Sequence, residues 1–157
     1  MRHSVAVILL ATALLWGVAC SSDECLDNGS AIPLAAFFQK STGSPVSVSN
    51  LSVYGLGATG DSCMADKESV SQVYMPLRAT ATVTQWVLDY NSDSLFNDTV
   101  TINYEPLPAF VSAECGAMYY FRIDGYRSTS HQVDSISIPD ELIDNQNRVT
   151  IKIFFRG

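Results

Sequence analysis

The chain has 157 residues and a formal net charge of −7, and 47% of its residues are hydrophobic. Its Lys and Arg residues are scattered along the sequence, so it lacks the basic cluster that nucleic acids require, and nucleic acid is excluded as a partner. The length suffices for one domain with a hydrophobic core.

The N-terminal segment predicts export and lipid attachment. Arg2 precedes the uncharged run 5–19, and small residues lead to Cys20, which is the pattern of a secretory signal. A Cys at the cleavage point is similar to the lipobox of bacterial lipoproteins, although Gly17 stands where that motif usually has Leu. The run is shorter than the roughly 20 residues of a membrane-spanning helix. We therefore predict a lipoprotein signal peptide at 1–19 and lipidation of Cys20; an ordinary signal peptide is the alternative.

Residues 20–30 predict a polar tether. Ser21 to Glu24 are similar to the acidic export signal that follows the lipidated Cys in surface lipoproteins of Bacteroidota, but any solvated linker uses the same residue types. The predicted location is the outer membrane. Display on the cell surface is favoured slightly over the periplasmic face.

Residues 31–157 predict a single all-β domain. In 99–104, for example, Val100, Ile102 and Tyr104 alternate with polar residues, which is typical of a half-buried strand. The pattern favours an antiparallel β-sandwich of immunoglobulin type with about eight strands, and a small β-barrel is the alternative. The predicted strands are 31–38, 46–54, 70–77, 80–90, 99–104, 110–111, 118–123, 133–138 and 149–155.

Turn-forming residues separate the predicted strands. They include 105–108, which contains two prolines, and Asp124-Gly125. The segment 139–143 is suited to one helical turn, because acidic residues follow Pro139.

Three segments of the domain resemble a family of short Bacteroidota lipoproteins of unknown function. They are 101–104, Phe110-Val111-Ser112-Ala113-Glu114-Cys115-Gly116 and 149–154, and Asp23-Glu24-Cys25 is similar to that family's start. The Phe-Val-Ser-x-x-Cys-Gly element is the most specific part. The resemblance implies a location and a fold but no activity.

The cysteines that remain after Cys20 are three in number, so they form at most one intramolecular disulfide. The resemblance implies a bridge between Cys25 and Cys115, which leaves Cys63 free in a polar loop. A bridge from Cys63 to one of the others is the alternative. The implied bridge would close a loop of about 90 residues and contribute roughly 4 kcal/mol in the chain-entropy model.

No recognisable catalytic or metal-binding set is present in the sequence. His131 is the one His outside the predicted signal, and the Gly-x-Gly-x-x-Gly at 55–60 is interpreted as a turn because no helix pattern follows. Oxygen-bearing side chains in 89–93, with Asn97 and Asp98, form an imperfect calcium-loop pattern. We predict no enzyme, no cofactor and no metal site.

Three Asp-Ser/Thr-aliphatic triplets resemble the acceptor motif of Bacteroidota O-glycosylation. They make Ser94, Thr99 and Ser135 candidate glycosylation sites. The same triplets also arise wherever a turn leads into a strand.

The predicted function is that of a non-catalytic, lipid-anchored envelope lipoprotein that binds or scaffolds at the outer membrane. Its partners would be the membrane, through the lipid, and an envelope protein or a glycan. An exposed patch of Trp86 and Tyr120 would favour a binding role. One alternative is a carboxylate-based hydrolase, for which Glu105, Glu114 and Asp124 are the acids to examine. The other is a calcium-stabilised adhesion module.

Overall fold

The computed structural model describes residues 31–57, 63–92, 96–112 and 116–157, without the side chains of Val111 and Ser112. These ranges contain ten strands and no α-helix. Within them, no helix is long and apolar enough to cross a membrane. The strands are β1 (Leu34–Gln39), β2 (Val48–Gly55), β3 (Cys63–Val70), β4 (Gln72–Tyr74), β5 (Val83–Asp89), β6 (Asp98–Ser112), β7 (Gly116–Ser128), β8 (Val133–Ser137), β9 (Leu142–Ile143) and β10 (Val149–Phe155).

The strands form two sheets that pack face to face. One sheet has the order β4-β1-β10-β8, and the other has the order β3-β2-β5-β6-β7-β9. One of the two sheets is a half-barrel. The predicted all-β sandwich is therefore confirmed. The strand order differs from that of immunoglobulin constant domains, where the first two strands pair. Here β1 lies between β4 and β10, and β2 is in the other sheet.

The first and last strands of the domain are neighbours. β1 pairs with β10 in parallel, with Phe37 opposite Ile153 and Phe38 opposite Phe154. Parallel pairing needs a crossover connection. Here the segment that connects β1 to β10 contains all the remaining described strands, β2 to β9. The four-stranded sheet thus joins residues more than a hundred positions apart.

The core lies between the two sheets. Its fully buried side chains come from both sheets and include Phe37, Leu51, Leu88 and Ile153. Val100, Ile102 and Tyr104 are all buried, as predicted for one face of β6, although Thr101 on the opposite face is buried as well. Edge-to-face contacts join Phe37 to Phe155 and Tyr104 to Phe121, an arrangement that aromatic rings favour.

Four sequence predictions about local structure were wrong. The polar loop that was to contain Cys63 is the edge strand β3, which buries only Ala65 and Val70 and therefore shows no alternation. Residues 105–108 lie inside β6, and Asp124-Gly125 lie inside β7. The helical turn at 139–143 is replaced by β9, because β7 offers backbone groups there.

Candidate binding surface

The hairpin of β6 and β7 extends well beyond the rest of its sheet. β6 has 15 residues and β7 has 13, but within the described ranges β5 pairs with β6 only as far as Asn103. Residues 105–112 and 116–122 continue as a projection, which we call the arm; it is two-stranded except at its base, where Phe121 and Arg122 also pair with β9. Its register runs from Glu105 opposite Arg122 to Ser112 opposite Gly116.

One face of the arm continues the face that forms the core. On β7, Phe121 is 3% exposed, whereas Tyr119, two residues nearer the tip, is 46% exposed. On β6, Pro108 pairs with Tyr119 and is exposed, and Phe110 is 74% exposed, the largest value among the exposed large hydrophobic residues. An apolar sheet face therefore runs past the end of the core and reaches solvent. Such a face is typical of a site for a binding partner.

The outer edge of β6 in the arm carries two prolines. Pro106 and Pro108 pair with Phe121 and Tyr119, and neither proline has an N–H. Backbone groups of an antiparallel strand point to alternate edges. Prolines within a sheet occur where the missing donor faces an unpaired edge. The β6 edge of the arm is therefore poorly suited to accept another strand.

The outer edge of β7 has no such protection. Ile123 donates its N–H to the Glu141 carbonyl at 2.7 Å, so odd-numbered residues of this part of β7 direct their backbone groups away from β6. Within the described ranges, β9 pairs with β7 only at Phe121 and Arg122. The N–H and C=O groups of Ala117 and Tyr119 thus lie on an open edge, where an extended peptide could add as a further strand.

Gly116 positions the turn end of the arm. Its φ is +73°, in the left-handed region, and a Cβ there would meet no atom within 4 Å. A side chain at this position is therefore disfavoured by backbone conformation rather than by crowding. The sequence element 110–116 that carries the family resemblance spans this end of the arm.

Apart from the arm, a concavity lies on the outer face of β2, β3 and β5. It has a volume of about 420 Å³ and is lined by Ser52, Tyr54, Cys63, Asp66, Asp89 and Asn91. Ser52 Oγ donates to Asp66, and the Asn91 side-chain amide donates to Ser52 Oγ. Burial raises the pKa of the Tyr54 hydroxyl, and the charge of Asp89 adds to that effect. Asp66 and Asp89 were not expected to line one site, because they are 23 positions apart in the sequence and lie in different strands.

The carboxylate of Asp98 is fully buried and accepts hydrogen bonds from five donors. They are the Tyr90 and Thr129 hydroxyls and the N–H groups of His131, Gln132 and Val133, at 2.8 to 2.9 Å. Burial alone would raise the pKa of Asp98, but the hydrogen bonds from the backbone and Thr129 outweigh it and hold the pKa below its ordinary value.

The five donors occupy the lone pairs of the Asp98 carboxylate. Asp98 is therefore not free to bind the calcium ion suggested by the sequence pattern. Asp89 accepts a hydrogen bond from the N–H of Asn91, which is a turn interaction. Among the described residues, no group of three or more His, Cys, Asp or Glu side chains could hold a metal.

Several of the predicted site residues lie outside the described ranges: Cys20, Cys25, Ser94, Glu114 and Cys115. Thr99 and Ser135 lie in β6 and β8 and are half-buried. The Ser135 hydroxyl donates to Asp134 and accepts from Lys40 Nζ. Glycosylation of Ser135 would disrupt these two contacts.

Cys63 is a free, exposed thiol in the structure. Its Sγ lies 2.9 Å from the Ala65 carbonyl. The other cysteines lie outside the described ranges, so the absence of a bridge to Cys63 stays a prediction.

Of the acids that were to test a hydrolase, Glu114 lies outside the described ranges, and Asp124 lines a small concavity with Glu141 but without Glu105. Glu105 and Asp124 both form ion pairs with Arg122 on the exposed surface of the β6–β7 hairpin. His131 is also exposed and lies beside Phe96. The Trp86 and Tyr120 patch does not form, because Trp86 is 2% exposed and Tyr120 packs against the core.

The arm as a continuous hairpin was not predicted from the sequence, because 105–108 was interpreted as a turn between separate strands. A usable signal was present in Pro106 and Pro108, which are separated by one residue within an otherwise extended and apolar run. In a strand, residues two positions apart direct their backbone groups to the same edge. Two prolines at this spacing are therefore typical of an unpaired strand edge.

The family model that matches this sequence covers residues 50–155, which is more than half of the chain and includes the whole arm. The chain belongs to DUF6452, a family of unknown function. The comparison with curated proteins and the comparison with solved structures each found no match. The DUF6452 region begins within β2 and ends at Phe155, so β1 precedes the matched part.

Proposed function

We propose that this chain is a non-catalytic lipoprotein, anchored to the outer membrane through Cys20, that binds another envelope protein through the arm. The observation that carries the proposal is the uncovered apolar face of the arm, where Phe110 is 74% exposed. A large aromatic side chain at the end of a long hairpin costs solubility, and a partner that covers it compensates for this cost.

The mode of binding is strand addition to the open edge of β7. The backbone groups of Ala117 and Tyr119 supply hydrogen bonds, and the exposed ring of Tyr119 supplies contact area beside them. Main-chain hydrogen bonds give affinity in this mode, and neighbouring side chains give specificity. The prolines of β6 restrict the added strand to one edge of the arm.

The proposed disulfide places the arm close to the membrane. A bridge from Cys25 to Cys115 would hold the end of the arm five residues from the lipidated Cys20. Five extended residues span at most about 18 Å. The partner is therefore proposed to be an envelope protein that is itself held at the membrane.

The test compares two substitutions of Tyr119 in the native host. Tyr119→Pro removes the ring and the outward N–H, whereas Tyr119→Val removes the ring and keeps the N–H in a residue suited to strands. Tagged copies are solubilised gently and analysed by native electrophoresis, and thermal melting checks that each variant is folded. We expect the wild-type chain to migrate in a complex, Tyr119→Val to weaken that complex, and Tyr119→Pro to release the chain.

Three outcomes would contradict the proposal. A wild-type chain that migrates alone would show that no stable partner exists. A complex that survives Tyr119→Pro would exclude the β7 edge as the binding site. Co-purification of two differently tagged copies in that complex would assign the arm to self-association.

A further inference from the structure

The outer face of the four-stranded sheet carries a second surface, remote in sequence from the arm. Phe38 of β1 and Phe154 of β10 are cross-strand neighbours with ring centroids 5.6 Å apart, and both are half-buried. Lys40 Nζ lies 5.4 Å from the centroid of Phe154, and Lys152 Nζ lies 5.9 Å from the centroid of Phe38. We call this group of four residues the lysine–phenylalanine face.

The charge of this face is opposite to that of the whole chain. Lys40 forms an ion pair with Asp134, but among the described residues no carboxylate lies within ion-pair distance of Lys152. Arg156 is close enough for its charge to help lower the pKa of Asp134, after the larger effects of hydrogen bonds from Ser135 and Lys40. Three cations and one carboxylate thus give a local excess of positive charge on a chain with a net charge of −7.

We infer that the lysine–phenylalanine face binds an acidic polysaccharide, that is, a glycan that bears carboxylate or sulfate groups. The lysines supply the charge complementarity, and the Phe rings between them supply flat apolar surface against which the C–H faces of sugar rings can pack. A hydroxyl group for a further hydrogen bond is present beside the rings at Ser137, which lies opposite Lys152. Because the surface is open rather than enclosed, it suits an extended polymer better than a small molecule.

The test measures binding of the purified full-length chain to polygalacturonate and to heparin, with dextran as the neutral comparison. We expect binding to at least one acidic polymer, weakening as salt is raised, and no binding to dextran. Lys152→Glu should weaken binding about tenfold, because it reverses the cation that lacks an ion-pair partner. Lys152→Gln, which only removes the charge, should have an intermediate effect.

Arg127→Glu is the matched control, because it makes the same change in net charge at an exposed position in β7, in the other sheet. It should leave binding nearly unchanged. Equal losses in Arg127→Glu and Lys152→Glu would show a general charge effect and overturn the inference. Failure to bind either acidic polymer would also overturn the inference. Vesicles that contain phosphatidylserine are tested in parallel, and binding to these vesicles but to neither polymer would overturn it as well. The arm is untouched by these substitutions, so this test and that of the proposed function can fail separately.

Discussion

Asp98 shows how one residue can organise a corner of the fold. Its carboxylate joins the start of β6 to the segment that leads into β8, where three consecutive N–H groups converge on it. The hydroxyl of Tyr90, which follows β5, also donates to this carboxylate. Buried N–H groups that lose their acceptor cost free energy. Removal of the carboxylate would therefore destabilise the fold mainly through the donors that it leaves unpaired.

We predict that Asp98→Asn lowers the free energy of unfolding at neutral pH by about 2–4 kcal/mol. The amide group would replace one acceptor oxygen by a donor that faces other donors. Chemical denaturation measures the change. Asp124→Asn is the control at an exposed carboxylate, and it should have a much smaller effect.

The same residue predicts a dependence of stability on pH. The pKa of Asp98 is lower in the folded state than its ordinary value, so its contribution is fully present above pH about 4 and is lost as pH falls through the folded pKa. The wild-type chain should therefore lose stability below pH about 4 more steeply than Asp98→Asn. Parallel pH profiles for the two proteins would assign the acid sensitivity to other groups.

At the scale of elements, the β6–β7 hairpin combines a structural and an exposed part. The half near Tyr104 and Phe121 belongs to the core, and the half near Phe110 and Tyr119 does not. The sequence predicted the strands of the first half, because alternation of apolar and polar residues indicates a strand with one buried face. In the second half, the sequence predicted strands at 110–111 and 118–123 but a turn at 105–108, because two prolines interrupt the alternation there although the backbone remains extended.

The Cys25–Cys115 bridge is a prediction about this same element. Peptide mapping without reduction should recover a linked peptide that contains both residues, and Cys63→Ser should leave it unchanged. Cys25→Ser should lower the free energy of unfolding by roughly 4 kcal/mol or less, since the loop that the bridge closes is long. A linked peptide that contains Cys63 would contradict the assignment.

At the scale of the whole molecule, the fold class followed from the sequence but the surfaces did not. Alternating apolar residues in segments such as 99–104 and 149–155, together with the turn-forming residues between about eight such strands, predicted a sandwich. The basic residues were correctly seen as scattered along the chain, yet Lys40 and Lys152 lie on one face because β1 pairs with β10. Such long-range pairing leaves no local pattern in the sequence.

Location is the prediction that concerns the molecule as a whole. An epitope tag after Gly157 should be labelled by antibody in intact native cells if the protein is displayed on the surface. Labelling only after permeabilisation would instead place the domain on the periplasmic face. Radioactive palmitate should label the wild-type chain and not Cys20→Ser, and label retained in that variant would contradict lipid attachment at Cys20.

The parallel pairing of β1 and β10 also sets the order in which the domain can be completed. A ribosome makes β1 before β10, and the four-stranded sheet has β10 as an inner strand between β1 and β8. Until Val149–Phe155 has emerged, Phe37 lacks both Phe155 and the strand that lies beside it. A nascent chain therefore cannot complete the four-stranded sheet before β10 has been made, and this delay is compatible with the proposed export of the chain in an unfolded form.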